Sequence, residues 1–428
     1  MKNIDELYLE LKTLPKGYIS KKTINGHAHY YLQRFENGNW HSEYVSDDQL
    51  NETKKKIALR KKIEKQIREI ENRGSDLVTL SKNHQRLTGY LMSGDDVVAS
   101  FDDGVLVFID EERAPISITR SQTLQSFLSR RVFDDSRVNT RILKKVLFIK
   151  ESDPTYISLL VHGASISDNY WFKAKGSRTK YKDIVFTDYY ADTALKGIVY
   201  PLNKRPKLSP ELTLNGSYEK CWKLIDNHWW LFKKENKNEL FSELLASRIA
   251  SLLGIFTVEY QYDNGFIKCL NFAEHYNFEP MSSLCDDDDS YEHVFNAIYA
   301  RDEHIALDYL KLMMFDIIVN NVDRHNQNYG FLRDRLTGKL VCLAPNYDNN
   351  LSLISVDPNL NSKDGFLSVF HKFLSHNAKA YELYKNIHLP FLDEKKLKNI
   401  LDELPIKIDN EDELITYILS KFYKVTNL

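Results

Sequence analysis

Three runs of alternating apolar and polar residues, 18–19, 28–35 and 40–45, read as short strands. The turn pairs Asn25-Gly26 and Asn37-Gly38 fall between them, as hairpins require. The period then changes. From about 47 to 72 the apolar positions Leu59, Ile63, Ile67 and Ile70 recur at spacings of four, four and three. That spacing predicts a helix with one narrow apolar stripe. Further on, strand-like runs at 97–101 and 105–109 flank the turn Asp102-Asp103-Gly104, and 124–130 and 141–148 read as helices. The polar-aromatic segment 165–173, with Asp168, Tyr170 and Trp171, reads as an inter-domain packing surface. Pro201, Pro206 and Pro210 punctuate a linker and predict a domain boundary.

Beyond that boundary, 212–214 and 221–225 read as strands around a turn at Asn215-Gly216, and Asp226-Asn227 leads into a strand over 229–233. A helix over 238–253 stops at Gly254, a residue suited to the left-handed C-terminal position. Its core stripe is Phe241, Leu244, Leu245, Ile249 and Leu252, widened by Leu240 and Leu253. Runs 258–262 and 266–270 make a hairpin across Asp263-Asn264-Gly265. The remainder reads as helical at about 291–300, 303–321, 365–388, 394–403 and 411–424. The pattern divides the α+β chain into an appendage (1–80), a mixed region (84–204), a small strand-rich region with one helix (205–300) and a helical region (301–428).

Composition narrows the class. At 428 residues the chain exceeds one ordinary core, and 43% hydrophobic with 28% charged residues is globular rather than disordered. A net charge of −2 gives no global pull toward nucleic acid or membrane. Nine Lys and Arg against four Glu between Asn51 and Arg73 leave a local balance of +5. A nucleic-acid-binding arm fits such a run, but charged helix faces are common, so the expectation is a solvated face with DNA only a weak or indirect partner. The acidic run 286–289 is read in the same way, as a solvated loop or helix N-terminus. The four cysteines contain no C-x-x-C pair, so neither a structural zinc site nor a disulfide framework is expected. Residues 1–17 mix acids and bases and no apolar run reaches spanning length, so a soluble, cytoplasmic protein with no membrane partner is expected.

The chemistry is concentrated in Asp323-Arg324-His325-Asn326-Gln327-Asn328 and in Asp348. An Asp, an Asn five residues on and a second Asp some 25 residues after the first match a phosphoryl-transfer site. The first Asp orients or deprotonates an attacking hydroxyl. The Asn and the second Asp offer oxygen ligands to Mg²⁺, which neutralises ATP phosphate charge. Strand-like stretches 329–332 and 339–344 flank a turn at Thr337-Gly338, so Asn328 begins one arm of a hairpin and Asp348 follows the other. Upstream, Lys233 ends an apolar strand and can reach phosphate oxygens, while Glu243 on the following helix can hold it by an ion pair. Glu239 lies one turn earlier on the same face, and Lys234 points to the opposite side of the strand. Gly216-Ser217 forms a turn whose backbone N–H groups can cover phosphates.

Together, Asp323-Arg324-His325-x-x-Asn328, Leu343-Ala344-Pro345-x-Tyr347-Asp348 and Gly216-Ser217-Tyr218-Glu219-Lys220 resemble the HipA-like serine/threonine kinases of bacterial toxin–antitoxin modules. The resemblance covers roughly 205–360 and is weaker in the helical tail; residues 1–200 do not match the family's N-terminal region. It implies a two-lobed, protein-kinase-like fold using ATP and Mg²⁺. The nucleotide-binding lobe would fall in 205–300 and the catalytic lobe in 301–428. Asp323 would be the catalytic Asp, Asn328 and Asp348 would hold Mg²⁺, and Lys233 would contact phosphates. A protein substrate and a helix-turn-helix antitoxin partner are implied as well. So is autophosphorylation in the loop before the glycine turn, at Thr213 with Ser217 as the nearby alternative. The chain departs from the family where Ser217-Tyr218 replaces a small residue and Gln, which bears on loop regulation more than on catalysis.

Two other readings compete. Phosphatidylinositol kinases share the Asp-Arg-His-x-x-Asn loop but place the metal Asp in an Asp-Phe-Gly-like triplet, where this chain has Asp348-Asn349-Asn350. Small-molecule phosphotransferases share the Asp-to-Asn spacing, so the chemistry is better determined than the acceptor. A pseudokinase or DNA-associated regulator is the non-enzymatic alternative; the presence of every polar catalytic position argues against it.

Overall fold

The computed structural model describes residues 7, 10, 11, 13–24, 27–36, 39–73, 87–102, 105–121, 123–147, 149, 153–199, 208–286, 288–361 and 364–428. The chain forms two compact units, Met1–Lys82 with Leu202–Arg205, and Asn83–Pro201 with Pro206–Leu428. The proline-marked boundary expected at 201–207 lies outside the described residues.

In the first unit, β1 (Tyr18–Ile24), β2 (His27–Glu36) and β3 (Asn39–Val45) form an antiparallel sheet in the order β1-β2-β3. The helix Asp47–Arg73 covers one face, where Ile57 meets Leu32 and Val45. Ile63 packs separately on Leu7. The expected stripe is corrected at Leu59, which is 41% exposed. Two residues beyond Ile57 is about 200° around a helix, so a helix that buries Ile57 turns Leu59 to solvent. The turn pairs 25–26 and 37–38, and the side chains of Ile67 and Ile70, lie outside the described residues.

Among its described residues the second unit contains three antiparallel sheets. The first joins β4 (Gly89–Ser93), β5 (Asp96–Asp102), β6 (Val105–Phe108) and β7 (Tyr170–Ala174) in the order β6-β5-β4-β7. The segment 165–173 is more than a covering surface: its second half is β7, with Tyr170, Trp171 and Phe172 buried. It also reaches the third sheet, because the Asn169 amide donates to Asn277 (2.8 Å) and the Tyr170 hydroxyl to Glu279 (3.2 Å).

The second sheet comprises β8 (Glu219–Ile225), β9 (His228–Lys234), β10 (Gln261–Asp263) and β11 (Phe266–Leu270), ordered β10-β11-β9-β8. Asp226 and Asn227 both take positive φ (50° and 65°), the backbone a two-residue hairpin requires. The strand expected at 212–214 is instead the end of a 3₁₀ turn, Pro210–Thr213. Pro210 fixes φ at the turn's first position, and the Ser209 hydroxyl caps the Glu211 amide at 3.4 Å. After β9, Asn236 and Glu239 form a reciprocal capping box that starts the helix Lys237–Leu252. Leu240, Phe241, Leu244, Leu245, Ile249 and Leu253 are buried as expected, but Leu252 is 37% exposed. It closes the helix with no following turn to cover it, and Gly254 (φ 68°) redirects the chain.

The third sheet is β12 (Tyr276–Pro280), β13 (Gly330–Asp334) and β14 (Leu340–Leu343). The helix Glu303–Val319 crosses the largest core, packed against Glu411–Thr426. The helix expected over 365–388 is two helices, Gly365–His376 and Ala378–Lys385. Asn377 between them is extended, and its side chain caps the Ala380 amide at 3.0 Å. Asp286, expected in a solvated run, pairs with Arg120 (2.9 Å) and Arg130 (3.4 Å). Among the described residues no helix is long and apolar enough to cross a membrane.

Candidate active site

The helix Glu303–Val319 ends at Asn320, in the left-handed conformation (φ 52°, ψ 49°), and delivers the chain into the Asp323 loop. The Asn321 side chain accepts the Asp323 amide at 3.0 Å. Asn328 braces the same loop: its Oδ1 accepts the His325 amide (3.1 Å), and its Nδ2 donates to the Asp323 carbonyl (2.5 Å). Arg324 points inward. Its guanidinium makes a two-point pair with buried Asp316, at 2.9 Å on each arm, and donates to Asn346 and Asn349 (2.8 Å each) and to the Tyr347 carbonyl (3.0 Å). Arg324 therefore ties the Asp323 loop to the segment that carries Asp348. The Asp323 carboxylate is left 42% exposed. Partial burial raises its pKa; His325 opposes the rise and Asp348 adds to it.

β9 brings a second set of groups to the same place. Lys233 is buried, and its Nζ lies 2.5 Å from Asp348, 3.5 Å from Glu243 and 3.9 Å from Glu235. Burial opposes its charge, but Asp348 and then Glu243 outweigh that and hold its pKa well above the usual lysine value. Burial likewise pushes Asp348 up, and Lys233 with Lys220 outweighs it, so this carboxylate stays ionised far into acid. Glu243 also holds the backbone beside Asp348, since both its oxygens accept the Asn349 amide, at 3.0 and 2.9 Å. Of the alternatives weighed from sequence, Glu239 is committed to its helix cap and to the Tyr218 hydroxyl (3.0 Å). Lys234 points outward to Glu219. Lys233, Glu243 and Asp348 are thus gathered, with Asp323 close enough to sense Asp348.

The glycine turn contributes a residue that sequence reasoning did not assign. Lys220 pairs in register with Lys233 across β8 and β9, and both are buried. Burial lowers its pKa to about 8, while Asp348 pulls upward and Lys233 pushes further down. Gly216 has φ 102°, and a Cβ there would lie 2.1 Å from the Lys220 Nζ, so this glycine keeps space for the ammonium. The signal was present, since two lysines fall on one inward face of a hairpin, but it depends on the register. Ser217 is exposed, and its carbonyl accepts the Val138 amide at 3.1 Å. Thr213 is half-buried, with its hydroxyl donating to the Pro210 carbonyl at 3.2 Å.

The donor chemistry fits a hard cation beside phosphates. Glu235, Glu243 and Asp348 place carboxylate oxygens within 4.8 Å of one another. Neither Glu235 oxygen has a hydrogen-bond partner although both are buried, an arrangement that leaves them available to a ligand. Burial, countered by Lys233 but reinforced by Glu243, raises the Glu235 pKa. Asn328 retains a free lone pair on Oδ1. Two lysines facing this acidic group supply the positive charge that phosphate oxygens need.

Residues 205–411 match the family model of the HipA-like C-terminal domain, so this part of the chain is HipA-like. No curated protein matches it. Among solved structures, it is similar to HipA from the Shewanella oneidensis toxin–antitoxin system, in complex with HipB and operator DNA. That match has 14% identity and a TM-score of 0.50, covering 79% of this chain and 96% of the other. The Helicobacter pylori proinflammatory kinase CtkA matches at 21% identity and a TM-score of 0.40, over 49% of this chain and 91% of its own.

Proposed function

We propose that the chain is an ATP- and Mg²⁺-dependent serine/threonine protein kinase with the two-lobed arrangement of its family. The observation that carries this reading is the meeting of Lys233, Glu243 and Asp348 beside the half-exposed Asp323. Asp323 orients the acceptor hydroxyl and takes its proton as the phosphoryl group moves. Lys233 and Lys220 meet phosphate oxygens, and Glu243 holds Lys233 in position. Asp348 and Asn328 hold Mg²⁺, with Glu235 as a further oxygen donor; the ion, when bound, neutralises developing phosphate charge. Ser217 is better disposed for self-modification than Thr213, whose hydroxyl is turned back on Pro210. A cytoplasmic helix-turn-helix antitoxin is the proposed partner, by analogy with the HipA–HipB pairing.

The acceptor class is tested by phosphoproteomics after induced expression. New phosphoserine or phosphothreonine sites in wild type, missing with Asp323→Ala, support a protein acceptor. Label appearing only in lipid or small molecules would replace it.

A further inference from the structure

The first unit has a sheet face that phosphoryl transfer does not use. The helix Asp47–Arg73 covers one face of β1–β3, where Ile19, Leu32 and Val45 point. The strand period sends Tyr18, Tyr31, Trp40 and Tyr44 to the other. The register aligns them: Tyr31 stands opposite Tyr44, and the Tyr18 and Trp40 rings meet edge-on at 6.4 Å. Tyr31 and Tyr44 are likewise edge-on at 5.7 Å. Tyr18, Trp40 and Tyr44 are 51%, 64% and 55% exposed. Between them the Gln33 amide donates to Ser20 and Ser42, keeping the centre polar.

Charge completes the pattern. Among the described residues this face carries no Asp or Glu. Lys22 lies 5.0 Å from the Tyr31 ring centre. Lys21 and Tyr30, in register with each other, lie on the helix-covered face, where Lys54 is 5.5 Å from the Tyr30 ring centre. Lys22, on the edge strand β1, therefore supplies the lysine charge on the aromatic face among the described residues. Residues 16–73 hold thirteen Lys and Arg against eight Asp and Glu, a balance of +5 in a chain of net −2, so the remainder carries −7. Exposed rings interleaved with hydrogen-bonding side chains, free of carboxylates and bordered by Lys22, suit unpaired bases on a phosphate backbone. Duplex DNA hides its base faces within the stack.

We propose that this sheet face binds single-stranded nucleic acid, with Tyr18, Trp40 and Tyr44 stacking on bases and Lys22 meeting phosphate. The reading is independent of phosphoryl transfer.

Fluorescence anisotropy of the full-length protein tests it, using a labelled oligothymidylate of roughly 20 nucleotides and a duplex of equal length. The expected result is tighter binding to the single strand, weakening steeply between about 50 and 200 mM salt. Removing both rings by Trp40→Ala with Tyr44→Ala weakens it about tenfold or more, because each stacked base contributes substantially. Trp40→Phe, which keeps a ring, stays within about twofold, separating lost stacking from lost folding. Asp323→Ala binds as wild type does. Absence of single-strand binding, a preference for the duplex, or indifference to the double ring deletion would each overturn the proposal.

Discussion

Lys233 and Asp348, 115 residues apart in the chain, meet at 2.5 Å. The lysine comes from β9, and the aspartate follows β14 in a left-handed conformation (φ 61°). Their charges shift each other's pKa in the directions that keep both ionised. The pair joins the β8–β9 hairpin to the segment that follows β14.

The two residues differ in expected consequence. Asp348→Asn keeps the shape and removes the charge that a divalent cation needs, so Mg²⁺-dependent turnover is abolished. Lys233→Ala chiefly weakens productive ATP binding, by tenfold or about 1.4 kcal/mol at least, and leaves Glu243 and Asp348 without their shared cation. Nucleotide titrations and single-turnover rates separate the two effects. Full activity in either variant contradicts the assignment.

Lys220 sets a pH dependence. Its folded pKa of about 8 lies below the ordinary 10.5, chiefly through burial. ATP affinity therefore falls as pH rises through 8 and the ammonium loses its proton. Stability moves the opposite way: between 8 and 10.5 the unfolded chain holds more protons on this group, so its destabilising effect is relieved as pH rises. Lys220→Gln binds ATP more weakly below pH 8 and loses the fall above it. Calorimetric titration across that range checks both; an unchanged slope in the variant contradicts the role.

Gly216 and Gly265 form a matched pair. Both have positive φ, 102° and 88°, but a Cβ at Gly265 meets nothing within 4 Å, whereas at Gly216 it meets Lys220. Each alanine variant costs about 1–2 kcal/mol of backbone strain. Only Gly216→Ala also raises the KM for ATP, by displacing the lysine. Equal KM values in the two variants would remove Gly216 from the site.

Arg324 is the anchor of the Asp323 loop. Arg324→Ala leaves Asp316 buried and unpaired, a change expected to cost about 3–5 kcal/mol. Urea unfolding measures it, and a loss below about 1 kcal/mol would mean the pair behaves as a surface contact.

Local signals made much of this legible in the sequence. The Asp226-Asn227 and Asn264-Gly265 turns announced themselves because few residues tolerate positive φ. Gly254 and the buried stripe of the helix Lys237–Leu252 did the same through periodicity. Pro210 was read as linker punctuation, although it starts the 3₁₀ turn that replaces a strand. Leu59 and Leu252 were misplaced because hydrophobicity does not say which partner covers a helix or where its last turn ends. In the candidate site, Asp323, Asn328 and Asp348 stand out by their spacing in the sequence. Lys220, Glu235 and the Arg324–Asp316 pair do not, because their significance comes from register and burial, which are tertiary properties.

The most direct test of phosphoryl transfer is ³²P incorporation from γ-labelled ATP with Mg²⁺, comparing wild type with Asp323→Ala purified in parallel. The expected result is label transferred to protein by wild type and none by the variant, with both equally folded and both still binding ATP. Equal incorporation by the two, or none by wild type with its acceptor proteins present, would contradict the assignment of Asp323 to catalysis.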